Sequence, residues 1–274
     1  MEPTTTPHHD RSNPGATPRP RRASIRRTTT LVSAIGLGSL LLAACGSGGD
    51  TSTTQPVSAP AGASTTTPAA GGPTFGSDST RITNPWLPIS KYHRCVLAGN
   101  DQGQQLRIVR TLQSRTQPIT FGGQTVNAAV VDDHVTDVAA GQVIERTVDY
   151  FAQDDAGNVY YFGEDVNEYK HGKLVSHEGQ WRLGRDTQTP GLLMPANPKP
   201  GNPFTSEDVP GITHETDHVV ATGRSLQIGA RTYHNVMKVR ENAGPPPEVE
   251  YKQYSKGVGV ITEANGGVRL VSCR

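Results

Sequence analysis

Alternation with a period of two is the strongest constraint on how this chain can fold. From Tyr92 onward, short runs place apolar residues at every second position, the pattern of strands with one buried face. In "QQLRIVRTLQ", Leu106, Ile108 and Leu112 share a face. In "GQVIERTVDYFAQ", Ile144, Val148 and Tyr150 do the same. "RTYHNVMKVRE" aligns Tyr233, Met237 and Val239, and "EVEYKQY" aligns Val249 with Tyr251. Turn-forming pairs separate these runs, among them Gly122-Gly123, Ala140-Gly141, His171-Gly172 and Gly266-Gly267. No stretch carries a convincing amphipathic helix. About a dozen short strands with tight turns predict an all-β domain, an antiparallel meander forming a barrel, half-barrel or sandwich.

One stretch interrupts the alternation. Residues 187–211, "TQTPGLLMPANPKPGNPFTSEDVPG", are rich in proline and glycine and read as a long connection. Connections of this length are uncommon in compact domains and are often functional. Leu192, Leu193, Met194 and Phe204 would pack it as a lid over the open end of the sheet, or serve a binding loop.

The N-terminal 44 residues have the composition of a processed leader and are set apart from fold reasoning. Arg19, Arg21, Arg22, Arg26 and Arg27 form a basic region ahead of an apolar run from Leu31 to Ala44. That run is shorter than the roughly 20 residues a membrane-spanning helix needs. It ends in Leu42-Ala43-Ala44-Cys45-Gly46, which resembles the lipobox of bacterial lipoproteins, in which Cys45 becomes the lipid-modified N-terminus. Arg26-Arg27 also resembles a twin-arginine signal without its usual Phe-Leu, so the export route stays open. Residues 45–74 are Ser, Thr, Gly, Pro and Ala with almost no large apolar side chain, the composition of a disordered tether. The expected location is the outer face of a bacterial cell membrane, with residues 75–274 as one extracytoplasmic β-domain. Its partners would be the membrane through the lipid anchor and either a hydrophobic small molecule or an envelope protein.

Without the leader the chain has 20 basic and 23 acidic residues, a formal charge of −3, and no basic patch that points to nucleic acid. With Cys45 lipidated, Cys95 and Cys273 remain for an oxidising compartment, where a disulfide is the default. It would join the first strand to the last and close a loop of about 180 residues, for which chain entropy gives at most about 5 kcal/mol.

Five segments carry a resemblance: "NPWLPIS" (84–90), "DYFAQDDAGNVYYFGEDVNEY" (149–169), "HEGQW" (177–181), "PGLLMPANPKPG" (190–201) and "EYKQYSKGVGVI" (250–261). Together they resemble an uncharacterised family of secreted bacterial proteins with segments like NPYFPL, DWYAQDxDGNVWYFGE, a methionine-proline-alanine loop and YAPGVG. The resemblance spans residues 84–263 and implies a real domain with these boundaries; it implies no reaction. Where that family reads W-x-Y, this chain has His93-Arg94-Cys95, so the cysteine bridge would be its own.

Candidate chemistry is sparse. His214-Glu215-Thr216-Asp217-His218 spells the HExxH of zinc peptidases, which works on a helix because its histidines there meet one metal. This stretch follows Pro210-Gly211 and is rich in β-formers. On a strand His214 and His218 would lie about 13 Å apart, so the motif reads as a chance match. Glu241, some way downstream, would end a strand rather than sit on a second helix. Asp154-Asp155-Ala156-Gly157-Asn158 reads as a hairpin turn rather than a calcium loop. Asp149, Glu164, Asp165 and Glu168 could pair for glycoside chemistry but stand at hairpin ends, where acids are usually solvated. His134, His171, His177 and His234 read as surface histidines. No cofactor is implied and no motif assigns catalysis. The reading is a membrane-anchored envelope lipoprotein acting as a binding module, with Tyr150, Tyr160, Phe162, Trp181 and Met194 around a hydrophobic ligand. The alternatives are a protein-interaction module without small ligand and a metal-dependent or carboxylate-based hydrolase.

Overall fold

The computed structural model describes residues 72–244 and 247–274; the leader, Cys45 and the tether up to residue 71 lie outside them. Among the described residues fourteen strands form one antiparallel sheet. They are β1 (Arg94–Asp101), β2 (Gln104–Phe121), β3 (Gln124–Asp137), β4 (Gln142–Gln153), β5 (Val159–Lys170), β6 (Lys173–Ser176) and β7 (Trp181–Arg182). There follow β8 (Gly191–Met194), β9 (Phe204–Val209), β10 (Thr213–Ile228), β11 (Arg231–Ala243), β12 (Glu248–Ser255), β13 (Gly259–Glu263) and β14 (Val268–Cys273). No helix among these residues is long and apolar enough to cross a membrane.

The order across the sheet is β6-β5-β4-β3-β2-β1-β14-β13-β12-β11-β10-β9. Two meander arms thus grow outward from a central seam between β1 and β14. The strand ladders within each arm are local hairpin pairings, whereas the seam joins residues from opposite ends of the domain. Cys95 and Cys273 face each other directly in that register and are disulfide-bonded. The meander is as the alternation predicts, but the sheet is not closed.

Its outer strand β5 is edged in three places: by β8 at Val159–Tyr161, by β7 at Gly163 and Glu164, and by β6 at Glu168–Lys170. The proline-rich stretch is therefore not a bare connection. It holds β8 and β9, with Pro190 and Pro195 bracketing β8 because a proline cannot donate to a ladder. Gly191 of β8 lies so close to Ser206 of β9 that a Cβ there would collide with the Ser206 carbonyl oxygen. The two arms approach each other at this point without pairing.

The segment before β1 packs across β4 and β5, and Asn84 fixes it. Asn84 is 1 % exposed. Its Nδ2 donates to the carbonyls of Gly157 (2.9 Å) and Pro195 (3.1 Å), and its Oδ1 accepts from the backbone N–H of Trp86 (2.8 Å) and Leu87 (3.3 Å). Nearby, Asp154 caps the β4–β5 turn by accepting from the Asn158 N–H at 2.7 Å, and Asn158 Oδ1 accepts from Ala196 N–H at 2.8 Å. Three of the segments that carry the family resemblance meet here, and the aspartates of the DDAGN stretch serve backbone geometry. Replacing Asn84 by Ala strands the carbonyls of Gly157 and Pro195 and the Trp86 N–H, all part-buried, while the Leu87 N–H keeps the Asn84 carbonyl. We expect a loss of about 3 kcal/mol. Urea unfolding of Asn84→Ala checks this, and an unchanged midpoint would show that water replaces the side chain.

Candidate functional site

The arms curl so that one face of strands from both sides encloses a cavity of about 230 Å³. β2 contributes Leu106, Ile108, Arg110 and Leu112; β3 contributes Val131, Asp133 and Val135; β12 contributes Glu250, Lys252 and Tyr254. The period-two spacing of each set shows that these are same-face residues. Part of the wall is a well-packed apolar cluster containing Leu97, Leu106, Ile108, Val135 and Val268. Elsewhere the lining is polar: Asp149, Tyr161, Ser206, Glu207, Glu215 and Lys252.

The polar part belongs to a row of acids that crosses four strands, of which Glu207, Glu215 and Glu250 line the cavity. Glu207 of β9 is the register partner of Glu215 on β10, Asp217 of β10 that of Glu241 on β11, and Glu241 that of Glu250 on β12. Glu207, Glu215, Asp217 and Glu241 are all buried, at 2–4 % exposure. Glu215, Asp217 and Glu241 bring carboxylate oxygens within 4.8 Å of one another. Like charges placed opposite one another are destabilising, and burial adds a desolvation cost. Protons and one cation relieve both. Burial, then the neighbouring acids, push the carboxyls of Glu215 and Asp217 well above the usual carboxylate range. Burial does the same for Glu241, offset in part by Lys252. Lys252 Nζ lies 3.0 Å from Glu241 Oε2. Its burial opposes the charge, but Glu241 and the other acids outweigh that and raise its pKa well above the ordinary lysine value.

Hydrogen bonds from behind hold the acids in place. Glu207 accepts from Trp181 Nε1 at 3.0 Å and from Thr213 Oγ1 at 2.7 Å. Tyr161 donates to Asp149 at 2.7 Å while its ring meets Trp181 edge-on and stacks on Phe151. Ser206 Oγ donates to Glu215 Oε1 at 2.8 Å, whereas Glu215 Oε2 is buried without a hydrogen-bond partner among the described residues. Closer to the apolar cluster, Arg110 pairs with Asp133 at 2.8 Å and Glu263 at 2.7 Å.

The residues singled out from the sequence are distributed differently. Tyr150, Phe162, Trp181 and Met194 are buried in the cores beside the cavity rather than on its surface, and Tyr160 packs against one of them. Tyr150 is held by Asp165 at 2.8 Å and covered by the Arg182 guanidinium at 3.7 Å. Their neighbours Phe151, Tyr161 and Leu193 are the ones that line the cavity. Asp149 and Glu164 are buried rather than solvated, because both faces of β4 and β5 are covered. His171, His177 and His234 are exposed and His134 partly so.

His214–His218 lies on β10, as the β-formers predict, and the histidines point outward. The strand that separates them turns the intervening Glu215 and Asp217 inward. The missed signal was this phase: Glu215 and Asp217 alternate in step with buried Val219, and Glu241 with buried Val239. On β12 the apolar pair misled, since Val249 is 41 % exposed and faces outward with Tyr251, leaving Glu250, Lys252 and Tyr254 to the interior. Comparison with protein-family models, curated proteins and solved structures found no match for this chain.

Proposed function

We propose that this is a lipid-anchored extracytoplasmic binding protein that holds a small amphiphilic molecule in the concave face of its open sheet. The observation that carries the reading is the cavity itself, with an aliphatic wall and a polar wall in one enclosure. Binding sites are concave, mostly apolar, and carry a few placed polar groups that fix orientation. A volume of about 230 Å³ falls just under the roughly 300–1,000 Å³ of sites for drug-sized ligands, so the cargo is small: one short chain rather than a two-chain lipid. The lipobox-like Leu42–Cys45 and the tether after it support placement at the membrane surface. Native mass spectrometry of the full-length chain with Cys45→Ser, purified gently with its disulfide intact, tests the proposal. The expected spectrum contains a population with one added organic mass, which organic extraction removes. A bare chain only, both as purified and after incubation with short amphiphiles, would refute it.

A further inference from the structure

We infer that the polar wall of this cavity recognises a primary ammonium group, with Glu215 Oε2 as its acceptor. The inference rests on the binding reading above and names the class of ligand. Three observations lead to it. The cavity surface carries seven carboxyl groups against two cations, Arg110 and Lys252. Both cations are committed within the chain, Arg110 to Asp133 and Glu263 and Lys252 to Glu241. One carboxyl oxygen, Glu215 Oε2, is buried on a cavity-lining residue that is 4 % exposed, and no donor among the described residues reaches it.

Burial and the neighbouring acids favour a proton on Glu215 while the site is empty; an ammonium beside Oε2 lets Glu215 ionise and supplies the donor that this oxygen lacks. The geometry selects among donors. A guanidinium binds best to a fork of two oxygens, and here Oε1 is already taken by Ser206. A calcium ion takes six to eight oxygens. Of the cluster's oxygens, one is occupied by the Ser206 hydroxyl and another by Lys252. A single ammonium needs less. The same row of acids already holds one, the Lys252 Nζ beside Glu241, which shows that this environment accommodates a charged nitrogen. The aliphatic cluster around Leu97, Ile108 and Val135 then receives the carbon chain. The ligand class is a short aliphatic amine.

Isothermal titration of the full-length, oxidised chain carrying Cys45→Ser with octylamine, octanol and octanoate tests this. Octylamine is expected to bind about tenfold or more tightly than octanol, with octanoate weakest, because a hydrogen bond to a charged group contributes roughly 1.5–3 kcal/mol. Glu215→Gln should abolish the preference for octylamine over octanol. Equal binding of all three would overturn the ammonium assignment and leave the amphiphile reading standing. Tightest binding of octanoate would overturn it in favour of Lys252 as the recognition group. Binding of none would remove both. The three-ligand comparison on the unsubstituted chain decides the matter even where Glu215→Gln fails to fold.

Discussion

Replacing Cys95 and Cys273 by Ser is expected to destabilise the protein by about 2–5 kcal/mol. The bridge closes a loop of 178 residues, which places the chain-entropy contribution at the upper end of that range. For a domain of this size the loss corresponds to a melting temperature lower by roughly 10 °C. The two cysteines are direct register partners at the seam where β1 meets β14. Their loss therefore removes the only covalent cross-link, beyond the backbone itself, among the described residues between the two arms. Thermal melts with and without reductant check this. The native chain should melt lower under reducing conditions, at the temperature of the double variant, and the variant should not respond. A native melt indifferent to reductant would mean that the seam's hydrogen bonds and packing alone fix the arms.

Lys252→Met is expected to cost up to about 3–5 kcal/mol at neutral pH, the range for removing one partner of a buried ion pair, with the 17 % exposure of the lysine side chain and protonation of Glu241 both reducing it. Methionine keeps much of the volume, so the loss reports the charge. The effect depends on pH, and its sign follows from the acids left behind. Glu215, Asp217 and Glu241 have native pKa values well above their ordinary values of 4.5, 3.8 and 4.5. The folded chain therefore holds protons that the unfolded chain releases. Their contribution to stability is fully present below about pH 4 and is lost as pH rises through the native values. The native protein should thus be more stable in mild acid than at pH 8 as far as these groups decide. In Lys252→Met the decline should be steeper, because Glu241 loses its cation while staying buried. Urea unfolding across pH 5 to 8 measures the difference between the two proteins. A loss that stays constant over that range would mean that Lys252 contributes packing and no charge balance.

The alternation made the meander legible, since strands such as β2 and β11 carry Leu106, Ile108, Tyr233 and Val239 at positions that are buried. The cysteine pairing was legible too, because two cysteines at the ends of a folded region leave one bridge. The site was not. Reading faces from apolar residues alone assigns the interior to whichever face holds them, and here the interior of β10 and β12 is largely polar. Glu215, Asp217, Glu250 and Lys252 occupy it, while Val220 and Val249 look outward at 46 % and 41 % exposure. Nor does a sequence disclose which arm curls toward which, and it is that curl which puts Tyr161 and Lys252 on one cavity.

The seam between β1 and β14 also bears on the order in which the chain can complete itself. Synthesis delivers β1 to β5 early, and each can pair with its predecessor as it emerges. The free edge of β1, by contrast, waits for the very last strand. Until Val268–Cys273 arrives, β1 is an unpaired edge carrying a reactive thiol at Cys95, open to strand addition and to exchange with other thiols. Long-range pairing of this kind is slow relative to hairpin formation. Oxidation of Cys95 with Cys273 thus serves as a completion mark: a molecule that carries this bond has its final strand in place, and a molecule trapped with Cys95 bonded elsewhere does not.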